Sequence, residues 1–176
     1  MHVDVGAALA ERLDKGELDV AVIAGPASRS ALTSVPLAHA RFAWCAGPGV
    51  ARGLHQMDAE AVQSHALVTL PQGSGVTHII DDWLRQADAR PARRLVCNHW
   101  GAIVGLLAQG SGIGLLPEGW AQALCERGVL QPLASPVPLG SLGYALHSRR
   151  DDLRPLPTGG GRTDGNHLAA SLGRSP

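Results

Sequence analysis

Leu70 to Gly75 reads LPQGSG, and VTHIIDDWL follows directly. Two glycines bracket a serine where an apolar run ends and a helical pattern begins, and the chemistry this suggests is capture of an anion. The first backbone N–H groups of a helix have no partner within it, and glycine lets a ligand approach them closely. Ser74 serves either as the helix cap or as a ligand contact. No Gly-Lys-Ser/Thr follows, so this is not a phosphate loop, and the order G-S-G is not the G-x-S-x-G of a nucleophile elbow. A second polar group, Asn98 and His99, stands ahead of the apolar pattern WGAIVGLLAQG. Asn98 is a good N-cap with or without a ligand, and His99 is a possible contact beside it.

Other polar groupings carry less chemistry. The eight histidines never fall into H-x-x-x-H or H-E-x-x-H, so no metal site is expected. Cys45, Cys97 and Cys125 are odd in number, widely spaced and set among apolar neighbours, which reads as reduced, buried thiols. Gly110, Gly112 and Gly114 precede a strand, whereas a dinucleotide fingerprint follows one; they read as a helix stop and tight turn. Asp81 and Asp82 are adjacent and so do not share a helix face, which reads as a solvated surface. No Ser/His/Asp or Cys/His set is placed by a motif, and nothing supports catalysis.

The elements that must position these residues alternate between strand and helix. The runs Val20 to Ala24, FAWCAG, ALVTL, RRLVC, Ile113 to Leu116 and Leu142 to Leu146 are short, bounded and strand-like. Helical spacing appears at Val5 to Leu13, after the serine loop, at 99–109 and at EGWAQALCERG, which Pro117 starts. The fold class is α/β.

Composition bounds the function. The chain has 176 residues, 45% hydrophobic and 17% charged, enough for a real core. Fifteen basic residues balance fifteen acidic ones, which argues against dense phosphate contacts and intrinsic nucleic-acid affinity. No apolar run approaches the roughly 20 residues of a membrane span, and the start MHVDVGAALAERLD is not a signal peptide, so the expected location is the cytoplasm.

In order, LDVAVIAGP, PLAHARFAWCAGPG, LPQGSGVTHIIDDWL and NHWGAIVGLLAQGSGIGLLPEGW resemble the effector-binding domain of LysR-type transcriptional regulators over about residues 3 to 156. Each motif is loose, and their order and spacing carry the likeness. The resemblance implies a periplasmic-binding-protein-like (type 2) α/β fold of two lobes with an effector cleft between them. Residues 1–47 form part of lobe I, 48–137 lobe II and 138–157 the return to lobe I, and 158–176 is a flexible tail. It implies a small organic acid held by Gly73, Ser74, Gly75, Val76 and Thr77, with Asn98, His99 and Gly25 at the same cleft. Gly25 and Pro26 read equally well as a plain turn. No cofactor is implied. DNA is engaged in the family through a helix-turn-helix, which residues 1–176 lack, and the family's homo-oligomer is expected to be impaired here. The family's opening strand and helix are also expected ahead of Met1. Their loss would leave a gap in the lobe I sheet between a strand near His2 to Val5 and Val20 to Ala24, and the Gly-rich tail replaces a terminal amphipathic helix. A truncated product or a shifted reading frame accounts for both ends. A sensor domain leads; a solute-binding protein of the same fold and an enzyme built on it are the alternatives.

Overall fold

In the computed structural model, residues 6–25, 29–54 and 56–151 are described. In chain order the elements are α1 (Gly6–Asp14), β1 (Val20–Ala24), β2 (Leu32–Ala40), β3 (Phe42–Ala46), α2 (Pro48–Ala51), α3 (Ala59–Ser64), β4 (Leu67–Thr69), α4 (Gly75–Gln86), β5 (Arg94–Val96), α5 (Trp100–Ala108), β6 (Ile113–Pro117), α6 (Glu118–Glu126), β7 (Gln131–Leu133) and β8 (Leu142–Arg149). They fall into two units, one from the described parts of Met1–Ala40 and Leu142–Pro176, the other from Arg41–Ser141.

In the first unit, β1 alternates exposed and buried residues, and its inward pair, Ala21 and Ile23, meets Ala10 and Leu13 of α1 together with Leu32. The helix stops where Gly16 takes φ +76 and the N–H of Glu17 returns to the Arg12 carbonyl. β8 lies between β1 and β2, antiparallel to both, so Leu146 faces Val22 on one side and Val35 on the other. Val20, Val22 and Val35 stand on the face away from α1 and are 44%, 51% and 46% exposed. β2 is not evident in the sequence, because Pro36 reads as a strand breaker. It survives because β8 is its single partner among the described residues, an edge position that tolerates proline, with a bulge between Pro36 and Ala38. The strand expected near His2 to Val5, Pro26 and the tail after Asp151 lie outside the described residues.

The second unit is a five-stranded sheet in the order β5-β4-β6-β3-β7. β4 runs parallel to β5 and β6, while β3 is antiparallel to β6 and β7. One face carries the cluster of Cys45, Val68, Ile103, Leu107, Leu116, Ala121 and Leu130. Trp44 follows the strand alternation to the opposite face, where it meets Trp83 of α4 edge-to-face with ring centroids 5.1 Å apart. The Trp83 Nε1–H donates to Ser135 Oγ at 2.9 Å, which lets this bulky ring be buried with its polar atom satisfied. Asp81 differs from expectation: it pairs with Arg94 at 2.7 Å and ties α4 to β5, and only Asp82 lies on an exposed surface.

The glycines at 110, 112 and 114 also divide. Gly110 has φ +75 and ends α5, as expected. Gly112 and Gly114 are there for close packing rather than for a turn. A Cβ on Gly112 would collide with the Ala66 carbonyl oxygen, and one on Gly114 would stand 3.0 Å from the Val68 carbonyl oxygen and 3.2 Å from Leu107. α3 and β7 are further elements that the sequence pattern does not single out.

Candidate functional site

β4 ends at Thr69 and β5 at Val96, and these residues are register partners in a parallel pair. The loops that follow, 70–74 and 97–99, therefore leave the same edge of the sheet and feed α4 and α5, the usual ligand edge of parallel strands. Gly73 makes the first turn possible with φ +85. Ser74 is the N-cap of α4: its Oγ accepts the Thr77 N–H at 3.2 Å, and the Thr77 hydroxyl donates to the Ser74 carbonyl at 2.6 Å. With the Thr77 proton committed, the Ser74 hydroxyl proton has only Thr77 Oγ1, 3.4 Å away, as an acceptor among the described residues. Ser74 thus caps the helix and still has a proton to donate. The N–H groups of Gly75 and Val76 in the first turn find no acceptor among the described residues.

The second helix start corrects the sequence reading. His99, not Asn98, is the N-cap of α5, its Nδ1 accepting the Gly101 N–H at 3.1 Å. An imidazole that accepts at Nδ1 carries its proton on Nε2 when neutral, so His99 presents an Nε2–H donor on an exposed ring. Asn98 is exposed beside it. Trp100 is partly buried against the core cluster and meets Trp120 edge-to-face at 6.3 Å.

The electrostatics of this edge favour an anion. Neither α4 nor α5 has an acidic residue in its first turn, whereas α3 and α6 place Glu60 and Glu118 there. Two helix dipoles therefore direct positive ends toward one edge without an internal carboxylate to neutralise them. Sequence reasoning missed Thr69. It is 3% exposed, its Oγ1 is buried without a hydrogen-bond partner among the described residues, and it closes β4 directly ahead of LPQGSG. A polar residue ending an apolar strand run was its only signal.

Gly25 belongs to the other unit. With φ +87 it ends β1, its N–H donates to the Gly143 carbonyl at 2.8 Å and its carbonyl lies 3.1 Å from His147 Nε2, so both its polar groups are engaged locally. A cavity of about 420 Å³ in the second unit, also not foreseen, is lined by Arg41, Trp44, Glu118, Ser135, Val137 and Ser141 among others. It contains none of the sequence-predicted site residues. Among the described residues no helix is long and apolar enough to cross a membrane.

A family model described as the LysR substrate binding domain matches residues 1–157. The chain belongs to the LysR substrate-binding domain family. Its fold is the two-lobed, periplasmic-binding-protein-like α/β fold of LysR regulatory domains. No curated protein matches it in sequence. Solved LysR-family domains resemble it in structure. The effector-binding domain of QuiR in complex with shikimate superposes with a TM-score of 0.69 at 15% identity, covering 88% of this chain and 72% of that one. A sulfate-bound OxyR2 regulatory domain from Vibrio vulnificus gives 0.72 at 18%, covering 86% and 72%. The bromide-bound regulatory domain of HypT from Salmonella typhimurium gives 0.67 at 18%, covering 84% and 70%. At such identities the likeness is one of fold.

Proposed function

We propose that this LysR-family domain senses a small organic acid, held at the second unit's sheet edge where α4 and α5 begin. The acid group accepts from the N–H groups of Gly75 and Val76 and from the Ser74 hydroxyl, while His99 Nε2–H donates to another ligand oxygen. Gly73 keeps the backbone approachable, and Thr77 and Asn98 complete the set at this edge. The observation that carries this reading is the pair of adjacent helix starts lacking first-turn carboxylates, with the unsatisfied Thr69 hydroxyl beside them. The solved QuiR domain holds shikimate, and those of OxyR2 and HypT hold sulfate and bromide, which is the ligand chemistry expected of such an edge.

In this reading the chain is a cytoplasmic sensor and not an enzyme. Ligand binding shifts its population of conformations, and DNA is contacted only by a helix-turn-helix outside residues 1–176. Calorimetry with a panel of small carboxylic acids, shikimate included, tests the site. Ser74→Ala is expected to weaken binding by about 0.5–1.5 kcal/mol, roughly 2-fold to 13-fold, by removing one donated hydrogen bond. It also lowers stability by about 1 kcal/mol through loss of the cap. A lowered melting temperature with unchanged affinity of the folded fraction would leave Ser74 as a cap alone.

A further inference from the structure

The cavity of about 420 Å³ in the second unit lies where the chain enters and leaves that unit. Arg41 opens the unit, Ser141 closes it and both line the cavity, while their outer neighbours Ala40 and Leu142 are register partners in β2 and β8. Its size falls within the range of small-molecule sites, about 300–1,000 Å³. One wall holds an unmet donor. Trp44 lines the cavity and is 1% exposed, and its Nε1 is buried without a hydrogen-bond partner among the described residues. Its ladder partners on β6 and β7 are Leu115 and Leu133, whose side chains offer no acceptor. Trp83, packed against it, has its own Nε1–H met by Ser135 Oγ at 2.9 Å. An indole nitrogen is a donor only, so the Trp44 N–H has given up its bond to water and gained nothing in return.

We propose that this cavity is a second ligand site, taking a small, neutral, largely apolar molecule with one carbonyl oxygen that accepts the Trp44 Nε1–H. The N–H is covered in the structure, so the oxygen reaches it as the indole tilts toward the space its ring lines. The Ser141 hydroxyl, on an exposed residue and without a hydrogen bond among the described residues, offers a second donor. A molecule seated against Arg41–Trp44 and Ser135–Ser141 touches both chain connections of the unit at once.

Charge sets the class of ligand. The charged residues that line the cavity, Arg41 and Glu118, pair with each other at 2.8 Å, so neither is left to hold an ion. The Ser135 hydroxyl proton already goes to the Val137 carbonyl at 2.7 Å. Phe42, Leu133, Val137 and Leu139 add apolar wall. A carboxylate entering here would meet those walls and the Glu118 carboxylate, whereas the edge where α4 and α5 begin offers it two helix dipoles. The two sites share no residue, and their ligands differ in charge.

The test follows the indole N–H resonances of the native chain by two-dimensional NMR during titration with acetophenone, a neutral ring ketone. Benzoate and ethylbenzene run in parallel; they keep the ring but replace the ketone with an anion or with no acceptor at all. The Trp44 resonance is the one lost in Trp44→Phe. Acetophenone should move it saturably while the indoles of Trp100 and Trp120 stay in place, and benzoate should leave it unmoved. Ethylbenzene should bind roughly 2-fold to 13-fold more weakly than acetophenone, for want of one hydrogen bond, and Trp44→Phe should weaken acetophenone by a similar factor. Gly140 also lines the cavity, and a Cβ there meets open space, so Gly140→Phe sets a ring in the wall and should block acetophenone even if Trp44→Phe fails to fold. A Trp44 resonance that acetophenone does not move, or that benzoate moves equally, would overturn the proposal. So would equal affinity for acetophenone and ethylbenzene, or acetophenone affinity unaltered by Gly140→Phe.

Discussion

Thr69 and Ser74 do opposite things with their hydroxyls, and the contrast separates ligand binding from folding. Ser74 Oγ is used by the helix it caps, whereas Thr69 Oγ1 is buried with no partner among the described residues. A buried, unsatisfied hydroxyl costs about 1–3 kcal/mol. Thr69→Val, which keeps the side-chain shape, should therefore hold or raise the melting temperature. If that hydroxyl completes the ligand site, the same change should reduce affinity for the bound acid several-fold. Paired melts and calorimetry check both signs, and a destabilised variant with unaltered affinity would show that Thr69 has another partner. The serine loop was legible in the sequence because glycine and serine at a strand-to-helix junction have few uses. The threonine was not, since its significance lies in a hydrogen bond it fails to make. The exchange of Asn98 for His99 as cap has a similar cause. Propensity ranks Asn above His, but the chain turns one residue later and gives the imidazole the Gly101 N–H.

Among the elements, α3 shows how a short helix is held at its start. Asp58 accepts the Ala61 N–H at 3.0 Å, and that bond, followed by the one from Gln56, keeps its carboxyl below the usual range. A group whose folded pKa is depressed contributes stability above its unfolded pKa, near 3.9, and loses it as pH falls through the folded value. Asp58→Ala should cost about 1 kcal/mol at pH 7, and Asp58→Asn, which caps without a charge, much less. In thermal melts, the advantage of the parent over Asp58→Ala should shrink below about pH 4 while that of Asp58→Asn persists; a parent advantage independent of pH would assign the cap elsewhere. Elements with strong apolar runs or full helical turns, such as β1, β3, β6, α4 and α5, were legible in the sequence. β2 was obscured by Pro36, tolerated at a sheet edge, and β7 by having three residues with Pro132 at its centre. Gly112 and Gly114 read as turn residues because one-dimensional pattern cannot reveal the neighbouring carbonyl oxygens that exclude a side chain.

At the scale of the whole molecule, charge and family point to different halves of a regulator's task. The chain carries no net charge and belongs to a family of substrate-binding domains, so it lacks the excess of cations that drives non-specific attraction to phosphate. Alone it should give no sequence-dependent shift in a gel titration against candidate operator DNA at physiological salt; a sub-micromolar, sequence-dependent complex would contradict that division of labour. The more direct question is whether the edge where α4 and α5 begin holds an anion. Amide resonances followed by two-dimensional NMR during titration with small carboxylic acids, with chloride held constant, answer it residue by residue. Saturable shifts confined to Gly73, Gly75, Val76, Thr77 and the first turn of α5 are the expected result, with α3, whose N-terminus carries its own carboxylates, unmoved. Saturable shifts centred on the cavity lined by Arg41, Trp44 and Glu118, with residues 73–77 unmoved, would place the effector elsewhere and contradict the proposed site.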